Sequence, residues 1–383
     1  MTAKQLTLGI DVFLSTRKDL KNKRIALASN IASVTENNIP TRLALIENGF
    51  NLIKLFSPEH GLNAKGADGK YIANDIDALT NKPIISLYGD KLMPSEADLA
   101  DIDIVLVDLP DIGCRFYTYL WTMTYLLEAC HKYQKEIIIT DRPNPLNGII
   151  NNAEGPMLDE NCASFIGRWN IPLKHACTIG ELANYFVQTK FKSLNFSVVP
   201  MLNWDRNLQN QFPFYPTSPA MQNLETAIIY PGTGLLEGIN VNEGRGTDIP
   251  FKVFGAPWID RNEIFTSISQ FAIPYLKIEP VTYTPNDGLY ANEICNGLQF
   301  EVLDSENFKA VAFGIILIHC IIKTYPNQVA ERLYDTVANP SGKAHLDKLL
   351  GLEKVFEKLK ESHHLEIDLG FTWADIIKPY LLY

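Results

Sequence analysis

The 383 residues are 46% apolar and 20% charged, the balance of a folded chain rather than a disordered one, and they exceed what one ordinary core organises, so two domains are expected. A formal net charge of -10 with no compensating Lys/Arg block excludes broad binding to nucleic acid or to an anionic membrane. Six cysteines lie scattered, without a Cys-x-x-Cys pair or zinc-finger histidine spacing, so free, mostly buried thiols are expected.

The longest apolar run, 310–322, is too short to cross a bilayer and carries His319 and Cys320, so it is expected to be a buried helix rather than a transmembrane segment. Met1-Thr2-Ala3-Lys4 lacks the apolar core of a signal peptide. As written the chain is expected to be cytoplasmic, or periplasmic or secreted where a leader has been removed. The sequence is silent on oligomeric state.

From Arg24 strand-like and helix-like segments alternate. A strand at 25–29 precedes a helix at 41–48 closed by Gly49, and a strand at 52–56 runs into a Gly-rich loop over 61–69. Further strands are expected at 83–87, 104–108 and 136–140, with a long helix over 118–133 between the last two. Such alternation predicts a mostly parallel sheet covered by helices on both faces, an α/β fold. Past Asn147 the alternation weakens. A helix starts at Thr178-Ile179-Gly180-Glu181, whose Thr-x-x-Glu spacing is a capping box, so Glu181 is expected to be structural. Glu263 is discounted on the same pattern. Strands at 277–284 and 298–303 and helices at 308–325 and 346–362 complete a smaller α+β part, and His363-His364 is expected to be solvated.

In a parallel sheet the loops after all these strands lie on one edge, where ligands bind. The strand at 52–56 empties into Ser57-Pro58-Glu59-His60-Gly61, which makes Glu59 the first candidate for chemistry, with His60 beside it. The loop after Asp108 brings Asp111, Arg115 and Tyr117; Asp-Arg bracing of the loop is the competing role. Asp141-Arg142-Pro143-Asn144-Pro145 offers three polar side chains on a backbone stiffened by two prolines. A second Gly-rich stretch carries Glu237, then Asn242-Glu243-Gly244-Arg245-Gly246-Thr247. It matches neither Gly-x-Gly-x-x-Gly nor a P-loop, and either carboxylate could simply pair with Arg245.

Taken together, Ser57-Pro58-Glu59-His60-Gly61, Asp111-Ile112-Gly113, Arg115-Phe116-Tyr117-Thr118-Tyr119, Asp141-Arg142-Pro143-Asn144-Pro145, Thr178-Ile179-Gly180-Glu181-Leu182, Tyr230-Pro231-Gly232-Thr233-Gly234 and Asn242-Glu243-Gly244-Arg245-Gly246-Thr247 resemble one family. They are similar to the exo-beta-N-acetylmuramidases of the NamZ type, formerly a DUF1343 domain of unknown function, over nearly the whole chain. The resemblance implies release of terminal N-acetylmuramic acid from the non-reducing end of peptidoglycan fragments. It also implies a Rossmann-like N-terminal catalytic domain, taken as 1–200, and a C-terminal auxiliary domain, 201–383, with the cleft between them. No metal or organic cofactor is implied, and the partners are peptidoglycan-derived sugars such as MurNAc-GlcNAc fragments.

Glycoside cleavage needs an acid for the leaving oxygen and a second group for the oxocarbenium-like carbon. Glu59 is the expected acid and His60 its tuner. Glu243 and Asp111 compete for the second role with the sugar's own acetamido oxygen. Arg115, Arg142 and Arg245 are candidates for gripping the lactyl carboxylate of muramic acid, and Tyr117, Asp141, Asn144 and Asn242 complete the expected substrate contacts. A nucleotide-dependent enzyme on a Rossmann-like sheet and a non-catalytic binder of cell-wall sugars are the alternatives.

Overall fold

The computed structural model describes residues 5–208, 212–362 and 371–383; the His363-His364 pair lies outside the described residues. Its organising sheet follows from short apolar runs buried on both faces. Strand β1 (Ile25–Ala28) is buried throughout. Alternate side chains of a strand face opposite ways, so Ile25 and Leu27 enter one core while Ala26 and Ala28 enter another. The same split runs through β2 (Leu52–Ser57), β4 (Pro83–Ser86), β5 (Ile104–Val107) and β6 (Glu136–Thr140), whereas the two-residue β3 (Asp75–Ile76) between β2 and β4 in the chain is exposed. A two-stranded hairpin of β7 (Glu154–Met157) and β8 (Pro172–Lys174) precedes β9 (Phe196–Val199), which the sequence reading did not anticipate.

The seven-stranded order is β3-β4-β2-β1-β5-β6-β9, parallel except for the two-residue edge strand β3. Helices α1 (Gly9–Thr16) and α2 (Thr41–Glu47) lend Ile10, Phe13 and Leu45 to one face. On the other face lie the short α3 (Glu96–Leu99), α4 (Tyr119–Lys132) and α5 (Ile179–Lys190). Thr178 and Glu181 form the expected reciprocal capping box at the start of α5.

The C-terminal part holds a three-stranded antiparallel sheet, order β10-β12-β11, from β10 (Val253–Ala256), β11 (Leu276–Tyr283) and β12 (Cys295–Val302). Around it pack α6 (Leu224–Thr233), α7 (Arg261–Ile268), α8 (Ala310–Thr324), α9 (His345–Leu350) and α10 (Val355–Glu361). A last helix, α11 (Phe371–Ile377), returns to the first sheet, where Trp373 and Ile377 are fully buried. The run 310–322 is thus a buried helix, as expected, and no helix among the described residues is long and apolar enough to cross a membrane. All six cysteines are free and buried. The helix expected over 346–362 is two, because Gly351 takes a positive φ of 79° and turns the chain between α9 and α10.

One feature of the packing positions the functional site. Phe116, Tyr117 and Tyr119, on the loop after β5 and the first turn of α4, belong to the C-terminal core with Tyr230, Phe251 and Leu349. The edge of the parallel sheet is therefore closed by the C-terminal part. The loops after β2 and β5 meet at that seam, either side of β1, where the strand order reverses.

Candidate active site

A cleft enclosing about 730 Å³ up to its mouth opens at this seam. Glu59 and His60 line it from the end of β2, Asp68 from the following loop, Tyr88 from the end of β4, and Phe116, Tyr117 and Thr118 from the β5 loop. Tyr230, Glu237, Arg245, Phe251, Tyr334, Asn339, His345 and Lys348 come from the C-terminal part. The turn that presents Glu59 is tight: His60 holds a positive φ of 66° and Gly61 one of 75°. A non-glycine residue in that region stores strain, which accumulates at functional sites.

Glu59 is nearly buried, 5% exposed, and both its oxygens are held. The Gly69 amide donates to Oε1 at 3.0 Å and the Thr118 hydroxyl to Oε2 at 2.8 Å. The Tyr88 hydroxyl also bonds it. Burial is the dominant influence and raises the Glu59 pKa, the neighbouring Asp68 charge adding to it while His60 and the two donors oppose. Asp68 goes the other way. Burial would raise it, but Arg245, His60 and the donating Tyr334 hydroxyl outweigh that and leave its carboxyl below the ordinary range. His60 Nδ1 lies 2.8 Å from the Gly66 carbonyl, which can only accept, so Nε2 faces Asp68 at 3.9 Å.

Arg245 is the hub of the far wall. Its guanidinium lies 3.2 Å from Asp68, 2.6 Å from Glu237 and 3.1 Å from Glu243. Glu237 is pushed up to about 8, by burial first and then by the Asp68 and Glu243 charges, against the pull of Arg245. Ligand atoms of Glu59, His60 and Asp68 fall within 4.8 Å of one another, a spacing that a metal ion could bridge. Here hydrogen bonds already engage both Glu59 oxygens and His60 Nδ1, and the Arg245 guanidinium beside Asp68 opposes a cation.

Of the candidate site residues read from the sequence, Glu59, His60, Tyr117, Glu237 and Arg245 meet in this cleft, while Asp111, Arg115, Asp141, Arg142, Asn144, Asn242 and Glu243 do not line it. Glu243, expected as a second catalytic group, is 1% exposed and lies between Arg245 and Arg332, so it braces the hub from behind. Arg115 is fully buried, and its guanidinium donates to the carbonyls of Pro156, Ile171, Leu349 and Leu350, leaving no fork for a substrate. Arg142 makes a bidentate pair with Asp108, both bonds 2.7 Å. Asp141 accepts from Thr178, Gly180 and Tyr383 and ties the C-terminus to α5. Asn144 bonds the Cys177 carbonyl and the Leu146 amide, and Asn242 braces the turn through Gly244, Leu289 and Tyr283. Asp111, the other expected second group, faces His175 at 3.1 Å and lines a separate cavity with Arg142 and Asn144. Thr217 lines that cavity while its neighbour Ser218 lines the cleft, so one short segment divides the two. Sequence reasoning missed Asp68, Tyr334, His345 and Lys348; the loop glycines around Asp68 were the signal for the first of these.

Residues 25–225 match the family described as Exo-beta-N-acetylmuramidase NamZ, N-terminal, and residues 228–383 its C-terminal counterpart. The Peptidoglycan beta-N-acetylmuramidase NamZ of Bacillus subtilis (strain 168) is 38% identical over 323 residues, 83% of this chain and 78% of that protein. Two crystal structures of DUF1343 family proteins from Bacteroides fragilis NCTC 9343 align over 99% of both chains, at TM-scores of 0.86 and 0.73 and identities of 27% and 29%.

Proposed function

The chain belongs to the exo-beta-N-acetylmuramidase NamZ family, and from that premise we propose that its hydrolysis runs in the cleft between the parallel sheet and the C-terminal part, with Glu59 as general acid. The enzyme is an exo-acting glycoside hydrolase that releases terminal N-acetylmuramic acid from the non-reducing end of peptidoglycan fragments. In this reading MurNAc-GlcNAc fragments are its substrates, residues 1–200 form the catalytic unit and 201–383 the auxiliary one.

The observation that carries the assignment is the divergence of two neighbouring carboxyl groups: Glu59 is raised and Asp68 lowered. Carboxyls whose surroundings drive their pKa values apart divide the work, the raised one holding a proton to give and the lowered one remaining a charge. Protonated Glu59 donates to the glycosidic oxygen as the bond breaks. Ionised Asp68, held by Arg245 and Tyr334, stabilises the positive charge growing on the sugar or accepts the N–H of its 2-acetamido group.

The pair offers oxygens within 4.8 Å of each other. An inverting pair stands about 6.5–9.5 Å apart to admit the attacking water. The closer spacing is that of retaining enzymes, about 5–5.5 Å, in which the second group is either Asp68 itself as nucleophile or the sugar's acetamido oxygen oriented by Asp68. A release assay with a chromogenic beta-N-acetylmuramic acid glycoside, run beside its N-acetylglucosamine counterpart, tests the function. Selective release from the muramic substrate is expected, and release from neither would refute it.

A further inference from the structure

One end of the cleft carries polar atoms that the fold leaves unmet. Among the described residues, both ring nitrogens of His345, Nδ2 of Asn339 and the Ser164 hydroxyl are buried without a hydrogen-bond partner. All three residues line the cleft, and so does Lys348. Buried donors are almost always paired in a folded protein, so a cluster of unpaired ones in a cleft wall calls for a ligand.

Lys348 Nζ donates to Asn339 Oδ1 at 2.8 Å and to the Lys343 carbonyl at 3.1 Å. Two of its three N–H bonds are thereby used and the ammonium is fixed in place. The same bond turns the Asn339 amide so that its NH₂ is the unmet end. Lys348 has no salt bridge to a carboxylate among the described residues, and burial lowers its pKa from the ordinary lysine value. Arg245, the other cation of the cleft, is by contrast engaged by Asp68, Glu237 and Glu243. His345 lies one helical turn before Lys348 on α9, 5% exposed, its ring stacked on Tyr334 with centroids 4.5 Å apart and planes 6° from parallel. Burial keeps that ring neutral at physiological pH, so it presents one N–H.

We propose that Lys348, Asn339 and His345 form a carboxylate receptor, and that it reads the lactyl carboxylate which distinguishes muramic acid from glucosamine. This rests on the reading of the cleft as the muramidase site. The receptor takes the part that the sequence suggested for arginines. A fixed ammonium supplies the charge, while an amide and an imidazole N–H supply direction. Glu59 and Lys348 line the same cleft, so in this proposal one bound sugar presents its glycosidic oxygen to the first and its 3-substituent to the second.

Calorimetric titration of the full chain with N-acetylmuramic acid and with its lactyl methyl ester tests this directly. The free acid is expected to bind the wild type about 10- to 100-fold tighter than the ester, the scale of a charge-assisted hydrogen bond. Lys348→Met keeps an unbranched stem, one atom shorter and without the charge, and is expected to erase that preference, whereas Lys348→Arg retains part of it. Asn339→Leu gives a second, independent reading, with a severalfold smaller preference, should the first variant fold poorly. Equal binding of acid and ester by the wild type would overturn the receptor, as would a preference that survives Lys348→Met. A wild type that prefers the acid yet releases nothing from the chromogenic glycoside would leave the receptor standing and defeat the hydrolase reading instead.

Discussion

At Glu59 burial competes with three hydrogen-bond donors and a neighbouring histidine, and burial wins, so the carboxyl keeps its proton above the ordinary range. Asp68, within 4.8 Å, ionises below it because Arg245, His60 and Tyr334 favour its charge. Catalysis needs Glu59 protonated and Asp68 ionised. The pH profile of kcat/KM is therefore expected to be bell-shaped, falling on the acid side as Asp68 takes up a proton and on the alkaline side as Glu59 loses one. The alkaline limb should lie above about 4.3, the ordinary glutamate value. An activity that instead rises with pH through the neutral range would mean that ionised Glu59 is the working form. Glu59 was legible in the sequence because an apolar strand ends on it beside Pro and Gly. Asp68 was not, since its ionised state depends on Arg245 and Tyr334, which reach it only through the tertiary fold.

Elements decide which of the conspicuous polar residues reach the cleft. The parallel strands could be read from their apolar runs, and with them the edge on which their loops gather. The destination of each loop side chain could not. Arg115 sits in a motif that looks made for anions, but the hairpin of β7 and β8 and the end of α9 aim four backbone carbonyls at its guanidinium. It joins the two parts of the molecule. Lys in its place has three donors on a flexible stem instead of a planar fork, leaving carbonyls unmet at a cost of about 1–3 kcal/mol for each buried polar group. Arg115→Lys is thus expected to lower Tm by several degrees with KM unchanged when assayed well below the transition. A raised KM at unaltered Tm would return Arg115 to the substrate. Which side of Arg245 Glu237 and Glu243 take was equally hidden. They are six residues apart in one Gly-rich stretch, and the positive φ angles of Gly244 and Gly246 fold that stretch so that Arg245 separates them, one carboxyl lining the cleft and the other behind it.

Across the whole molecule the buried carboxyls that build the site and the C-terminal clamp make stability depend on pH. Asp141 is raised to about 7 by burial and the Glu181 charge, and Glu237 to about 8 by burial and its acidic neighbours. Between the unfolded values near 4 and these folded ones, the native state holds protons that the unfolded chain has released, so stability falls as pH rises. His345, lowered to about 4 by burial, has the opposite sign, but its contribution is complete once pH passes its unfolded value of 6.5. Tm is expected to fall between pH 6.5 and 8.5, and the fall should shrink in Glu237→Gln; a Tm that climbs over this range would contradict the buried protons. The measurement that bears most directly on the mechanism compares Glu59→Gln with the parent on muramic glycosides of good and poor leaving groups. A general acid matters only where the leaving oxygen needs a proton. The variant should lose roughly 10²–10⁴-fold on a MurNAc-GlcNAc disaccharide and far less on a dinitrophenyl glycoside. Equal losses on both, or near-parental turnover of the disaccharide, would remove Glu59 from the role of acid.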